Sequence, residues 1–204
     1  MPPKALVTGA TGFMGSHLVQ SLVEENWDVT CLIRATSKSE YLRKFPVRFV
    51  LGSANDIDSL ARAVKGQDYV FHLAGRIRPT GREVYDISNY QLTRNLIQSC
   101  LKHNPSLKRF VYVSSISAAG PSLPNSYSEE SQAPSPISEY GRTKLKGEEA
   151  VREVWDIIPA TIIRPPNVYG PRQQEMEQLI KLISMRIVPL LKGKEEATSL
   201  IYIK

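Results

Sequence analysis

No apolar run in the chain approaches the ~18 residues that a bilayer-spanning helix needs, which excludes a helical membrane protein. The opening residues, MPPKALVTGATG, turn polar and glycine-rich before a signal-peptide core can form, so cytosolic residence is the expectation. Cysteine is scarce: Cys31 and Cys100 lie far apart, in apolar surroundings and outside any C-x-x-C pattern. That excludes a disulfide scaffold and reads both as small buried hydrophobes. His17, His72 and His103 lack metal-ligand spacing, so no metal is expected, and His17 and His72 read as packed histidines. A G-x-S-x-G elbow is missing too, which sets aside the α/β serine hydrolases.

What is present is ordinary globular material. The chain has 204 residues, 42% hydrophobic and 23% charged, enough for one generous domain or one domain and part of another. Its net charge of +6 is spread along the chain rather than gathered in a stripe. Nucleic acid is therefore not the expected partner, since a phosphate-bearing small molecule accounts for the excess equally well.

Short apolar runs alternate with helical periodicity. Strands are expected at 4–8, 29–33, 47–51, 69–73, 110–114 and 160–163, with helices at 13–25, 56–64, 83–103, 138–155 and 175–185. Asn104-Pro105 closes the third helix, and the stretches 120–136 and 164–172 read as loops. A last strand, 199–203, has no helix after it, so a truncated chain is expected. The alternation predicts an α/β fold: a Rossmann-type doubly wound parallel sheet with helices on both faces.

Gly9-Ala10-Thr11-Gly12-Phe13-Met14-Gly15 joins the first strand to the first helix. Gly9 allows the tight turn, Gly12 lets backbone approach a pyrophosphate, and Gly15 lets helix and strand pack closely. The N–H groups at the helix start then face the phosphates. An acid at the end of the second strand would bond a ribose 2′-hydroxyl, whereas an arginine accommodates a 2′-phosphate. That place holds Arg34, with Lys38 nearby and no acid. NADP(H) is favoured and NAD(H) is the alternative, a plain surface arginine being the other reading of Arg34.

Tyr140 and Lys144 stand at i and i+4 of a predicted helix and share one face. An ammonium beside a phenol favours the phenolate, giving a general acid/base that works near neutral pH. Ser114-Ser115 ends the fifth strand, at the sheet edge where doubly wound folds bind ligands, so Ser115 is set to hold a substrate oxygen beside Tyr140.

With the G-x-x-G-x-x-G spacing, these residues resemble the extended short-chain dehydrogenase/reductases, the NAD(P)-dependent epimerase/dehydratase group. Further matches are His72-Leu73-Ala74-Gly75, Asn89 with Thr93-Arg94-Asn95-Leu96, and Arg164-Pro165-Pro166-Asn167-Val168-Tyr169-Gly170-Pro171. The resemblance covers nearly the whole chain. It implies Ser115, Tyr140 and Lys144 as catalytic residues, with Lys144 also gripping the nicotinamide ribose. It implies cofactor contacts from Thr11, Phe13 and Met14 in the loop, and from Asp56 and Ile57 near the adenine, where Asp56 is also a good N-cap. Leu73, Ala74, Gly75 and Asn89 follow, and Pro165, Asn167 and Val168 beside the nicotinamide. Asn167 joins Ser115 at the substrate, a small molecule. Pairing of two copies through the helices at 83–103 and 138–155 is implied as well.

Three departures bear on what this implies. Arg34 replaces the acid common in NAD-using sugar epimerases. The segment from Ser114 to Gly120 lacks the tyrosine often found just before the glycine in sugar-nucleotide enzymes. Members of the group are also longer, so residues 1–172 are read as the dinucleotide-binding domain and 173–204 as the start of a small C-terminal substrate lobe. Arg76, Arg78 and Arg82 read as a solvated basic loop overhanging the nicotinamide, and Glu129-Glu130 as exposed charge. The reading is an NAD(P)-dependent oxidoreductase that transfers hydride at a secondary alcohol or ketone, leaning towards a carbonyl, steroid or flavonoid reductase. The alternatives are a nucleotide-sugar epimerase or dehydratase using NAD, and a non-catalytic dinucleotide- or nucleic-acid-binding protein on the same fold.

Overall fold

Six short runs rich in β-branched, aromatic and leucine side chains pair side by side as parallel strands. They are β1 (Lys4–Thr8), β2 (Asp28–Ile33), β3 (Arg48–Leu51), β4 (Tyr69–His72), β5 (Arg109–Val113) and β6 (Ala160–Ile163). The computed structural model describes residues 1–77, 85–122, 126–173, 181–187 and 199–203. The strand order is β3-β2-β1-β4-β5-β6, which reverses direction between β1 and β4 and is the doubly wound order predicted above.

Helices α1 (Phe13–Glu24), α2 (Ile57–Val64), α3 (Leu92–His103), the short α4 (Ile116–Ala119) and α5 (Glu139–Arg152) connect the strands. β1 feeds both cores because its side chains alternate. Leu6 joins Leu60, Val70, Leu96, Phe110, Tyr112 and Val151 in one cluster. Ala5 and Val7 join Val19, Leu22, Val29 and Cys31 in the other. Cys31 and Cys100 are buried, and burial pushes both thiols up to about 12, so they serve as packing groups. The outward faces of α3 and α5 carry Arg94, Gln98 and Lys102, and Arg142, Lys146 and Glu149.

Where sequence and structure differ, the cause is local. The expected helix at 83–103 is π-helical over Asp86–Gln91 before α3 begins, and residues 83 and 84 lie outside the described residues. The helix expected at 138–155 ends at Arg152 and passes into turns. Of the helix expected at 175–185, residues 175–180 lie outside the described residues, as do Arg78 and Arg82. The loop expected at 164–172 contains a strand, β7 (Asn167–Tyr169), in parallel register with β8 (Leu200–Tyr202). Only a partner 33 positions away in sequence makes β7 a strand, which no local pattern announces.

The chain divides into two compact units, Met1–Arg164 and Pro165–Lys204, where the sequence places the division after 172. The pairing of β7 with β8 draws 165–172 into the second unit. There Tyr169 and Tyr202 meet edge-on at 5.3 Å, and Gly170, at φ 147°, lies where a Cβ would stand 2.7 Å from Ile203 Cγ2. Among the described residues, no helix is long and apolar enough to cross a membrane.

Asn104 ends α3 and is buried, its amide donating to Val64 O at 2.9 Å and Gln67 O at 2.8 Å. Replacing Asn104 by Ala takes the donor from Gln67 O in the interior and leaves Val64 O with only the Gln67 N–H at 3.3 Å. Urea unfolding of Asn104→Ala is expected to give a loss of about 2 kcal/mol.

Candidate active site

The carboxyl ends of β1 to β4 surround a cleft of about 400 Å³, at the point where the strand order reverses. Gly9, Thr11 and Gly12 line it from the first loop, Ile33, Arg34 and Ser37 from the end of β2, and Leu73, Ala74, Gly75 and Arg76 from the end of β4. Gly52, Ser53, Ala54 and Asn55, after β3, complete the side where sequence reasoning named Asp56 and Ile57. Asp56 is exposed and its carboxylate accepts from Ser59 N at 3.0 Å, so it caps α2. Ile57 is exposed, and neither it nor Asp56 lines the cleft.

The glycine loop has the shape its residues demand. Gly9 sits at φ 71°, and a Cβ there would stand 2.6 Å from Ala74 N, so the loop passes directly over the end of β4. A Cβ on Gly15 would strike Gly9 O, which is the close helix–strand packing expected of it. α1 has no side-chain N-cap and no acid in its first turn. Its first helical bond runs from Ser16 N to Gly12 O, so the N–H groups of Phe13, Met14 and Gly15 precede it. This glycine-only cradle at a helix start, opening into the cleft, fits a pyrophosphate. Arg34 is exposed at the lip, its N–H donating to Ser37 Oγ at 3.1 Å. Lys38 is exposed and does not line the cleft.

Beyond β4, a buried hydrogen-bond chain organises the site. Thr93 Oγ1 donates to Asn89 O at 2.7 Å and therefore accepts from His72 Nε2 at 2.8 Å. His72 Nδ1 is left to accept from Thr8 Oγ1 at 2.6 Å, and that oxygen receives Ala74 N–H at 3.3 Å. Burial, with the Lys144 charge adding to it, pushes His72 down to about 3 and keeps it neutral. Asn89 is fully buried. Its Oδ1 accepts Arg76 N–H at 2.7 Å, while Nδ2 donates to Arg76 O and Thr143 Oγ1, both at 3.1 Å. Its amide is thus committed to the Gly75-Arg76 turn, which it holds in place. Ile87 and Ser88 of the same π-helix line the cleft, in keeping with the frequent use of such distortions at functional sites.

Ser115, Tyr140 and Lys144 come together as expected from their motifs. Ser115 follows β5 by two residues, caps α4 by accepting Ser117 N–H at 3.2 Å, and lies beside the Tyr140 phenol, whose ionised form it favours. Gly141 makes this possible, because any Cβ there would strike Ser117 O and push α5 off α4. Lys144 is almost wholly buried, with Nζ donating to Val113 O at 2.6 Å and lying 4.4 Å from the Tyr112 ring centre.

The electrostatics correct one expectation. Burial pushes Tyr140 above the ordinary tyrosine value; the Ser115 hydrogen bond pulls it down, and the Tyr85 phenol pushes it further up. Burial drives Lys144 itself down to about 7, partly opposed by Glu148, and its ammonium is spent on the Val113 carbonyl. At neutral pH the protein's own groups therefore leave Tyr140 protonated.

Sequence reasoning missed Glu148, buried one turn beyond Lys144, and Arg164, which holds it at 2.6 Å. The i+4 step from Lys144 to Glu148 was the available signal. Pro165, Asn167 and Val168 belong to the second unit, Asn167 and Val168 on β7. Among the described residues, no cluster of His, Cys, Asp and Glu is placed to hold a metal.

Ser115→Ala removes the one contact that favours the Tyr140 phenolate, so its ionisation should move to higher pH. Ultraviolet titration of the phenolate band, with Tyr140→Phe identifying the signal, checks this. A Tyr140 that ionises below the ordinary tyrosine value would contradict the burial argument.

The chain matches the model of the NAD dependent epimerase/dehydratase family over residues 5–202. Ceramide reductase of Caulobacter vibrioides is 32% identical over 186 residues, 91% of this chain and 53% of that protein. The putative dihydroflavonol 4-reductase of Synechocystis is 33% identical, over 81% of this chain and 49% of its own. The chain thus spans about half the length of these curated relatives. UDP-glucuronic acid 4-epimerase from Bacillus cereus, solved with UDP-glucuronic acid and NAD, superposes with a TM-score of 0.83 at 29% identity, covering 98% of this chain and 69% of that one. With its glycine cradle, its reversal between β1 and β4 and its match along nearly the whole sequence, the chain belongs to the NAD dependent epimerase/dehydratase family.

Proposed function

We propose that this chain is the dinucleotide-binding and catalytic part of an NADP(H)-dependent oxidoreductase acting on a secondary alcohol or ketone. The reading rests on Ser115 lying beside the Tyr140 phenol, with Lys144 Nζ 3.9 Å from where a Gly75 Cβ would stand and Gly75 itself lining the cleft that fits a dinucleotide. When bound, the dinucleotide supplies the hydride chemistry. Gly9, Gly12 and the start of α1 hold its pyrophosphate, and Gly75, kept in place by Asn89, gives the remainder a side wall.

Tyr140, protonated at neutral pH, gives its proton to a carbonyl oxygen as negative charge develops there. Ser115 donates a hydrogen bond to the same oxygen and fixes its direction. Lys144, carried next to the Gly75 turn, holds the nicotinamide ribose. Two reductases among the relatives favour net reduction.

Arg34 carries the choice of NADP(H). Arg34 lines the cleft at its lip, where its backbone N–H meets the Ser37 hydroxyl, and the end of β2 offers no acid to repel a 2′-phosphate. Lys38 adds positive charge to that lip from outside the cleft. The second reading is an NAD-using nucleotide-sugar epimerase, favoured by the similarity to an epimerase solved with UDP-glucuronic acid and NAD. Two copies would meet through α3 and α5, whose outward charges make such an interface salt-sensitive.

Fluorescence titration with NADPH and NADH separates the readings. NADPH is expected to bind more tightly, and Arg34→Asp to weaken it by about tenfold while sparing NADH. Tighter NADH binding would favour the epimerase. In single-turnover reduction of a ketone panel, Tyr140→Phe is expected to lose on the order of 10²- to 10⁴-fold in rate with nucleotide affinity intact.

A further inference from the structure

The most heavily bonded charge in the described structure takes no part in the roles assigned so far. Glu148 on α5 is fully buried. Its Oε1 accepts from Ser114 Oγ at 2.6 Å and Arg164 Nε at 2.8 Å, and its Oε2 from Arg164 Nη2 at 2.6 Å and Arg152 Nη2 at 3.3 Å. Packing alone does not explain this arrangement, since a buried ion pair is often no more stabilising than apolar side chains of the same volume.

The neighbours of the carboxylate supply a reason. Ser114 precedes Ser115, and its N–H donates to Ile163 O at 2.7 Å, so both its polar groups are tied down. Arg164 ends β6. The adjacent serines thus divide the work: Ser114 faces inward to Glu148, and Ser115 faces Tyr140. Lys144 stands one turn back along α5. It is met by the Val113 carbonyl and Tyr112 ring of β5, by neutral His72 of β4, and by Tyr140 and Glu148 on its own helix. Only Glu148 among these carries a negative charge. The guanidiniums of Arg152 and Arg164 and the Tyr112 phenol face Glu148 in turn.

We propose that Glu148 is a positioning residue for this site: it fixes Ser115 by holding Ser114 and Arg164, and it is the counter-charge that lets buried Lys144 remain an ammonium. The proposal rests on the reading of Ser115, Tyr140 and Lys144 as the reacting set. A carboxylate acting only as mortar between α5 and the end of β6 would leave the ionisation of Lys144 and Tyr140 unmoved when exchanged for its amide.

The test follows the lysine side chains of the full chain by ¹³C NMR against pH, without nucleotide, with Lys144→Met assigning the signal. In Glu148→Gln, Lys144 is expected to lose its proton about one pH unit lower than in the wild type. Glu148→Asp, which keeps the charge, is expected to restore it. Because Glu148→Gln leaves two guanidiniums facing an amide, Glu148→Gln/Arg164→Gln is measured beside it, with the same downward movement expected. An unmoved Lys144 in either folded amide variant overturns the counter-charge role. Ser114→Ala, which alters no charge, reports on position: Tyr140 should ionise at higher pH as Ser115 loses its anchor, and an unchanged Tyr140 overturns that part. Neither readout involves nucleotide, so a chain that bound neither NADPH nor NADH would defeat the functional reading and leave these results standing.

Discussion

The structure depends on a hydrogen-bond chain through His72, buried where the sheet reverses direction. β1 and β4 are neighbours whose connections leave to opposite sides, and this divergence opens the cleft between their carboxyl ends. A gap of that kind exposes backbone groups with no strand partner. His72 spans it, with Thr8 on β1 at one ring nitrogen and Thr93 on α3 at the other. Thr93 hands the chain to Asn89, and Asn89 fixes the Gly75-Arg76 turn and reaches Thr143 on α5. The cleft wall, the π-helix and the helix bearing Tyr140 are therefore set by one line of polar contacts. A charged His72 could not accept from Thr8, and its deep burial ensures that it stays neutral.

Close backbone approach is the second constraint. Gly9 and Gly15 let the first loop lie on β4 and α1 lie on that loop. Gly141 lets α5 lie on α4, and Gly147 makes room for the Tyr112 hydroxyl. In each pair a loop or strand that carries a functional group is brought to a helix that carries another. Tyr140 reaches Ser115 because its neighbour in sequence has no side chain.

Much of this was legible in the sequence, for identifiable reasons. The strands, the doubly wound order and the glycine cradle follow from local residue types, since an apolar run, a turn and a helix start each leave a mark within a few positions. Ser115, Tyr140 and Lys144 were legible because a short motif fixes their spacing. What escaped notice depends on distant partners. β7 is a strand only because of β8, and Asn89 works through its amide on Arg76 and Thr143. The π-helix has the composition of an ordinary one. Asp56 and Ile57 were displaced by their own neighbours, because the chain turns into the cleft at 52–55 and leaves Asp56 to cap α2. Glu148 looks like a surface acid in sequence, and its burial is offset by partners distant in sequence, the Ser114 hydroxyl and the Arg164 guanidinium, with Arg152 beside them.

The altered view of Tyr140 and Lys144 has a consequence for proton transfer. Burial works on two neighbouring residues of opposite ionisation chemistry and favours the neutral form of each. The phenol keeps its proton far above neutrality, while the amine is brought close to losing one. A phenol held this way is a weaker acid than free tyrosine and resists becoming an anion. Giving a proton to a carbonyl oxygen leaves the phenolate and taking one from an alcohol starts from it, so both directions call on a positive charge near the phenol. The consequence is the same for reduction and for oxidation, and it comes from the depth at which α5 lies against the sheet rather than from any residue that a motif would name.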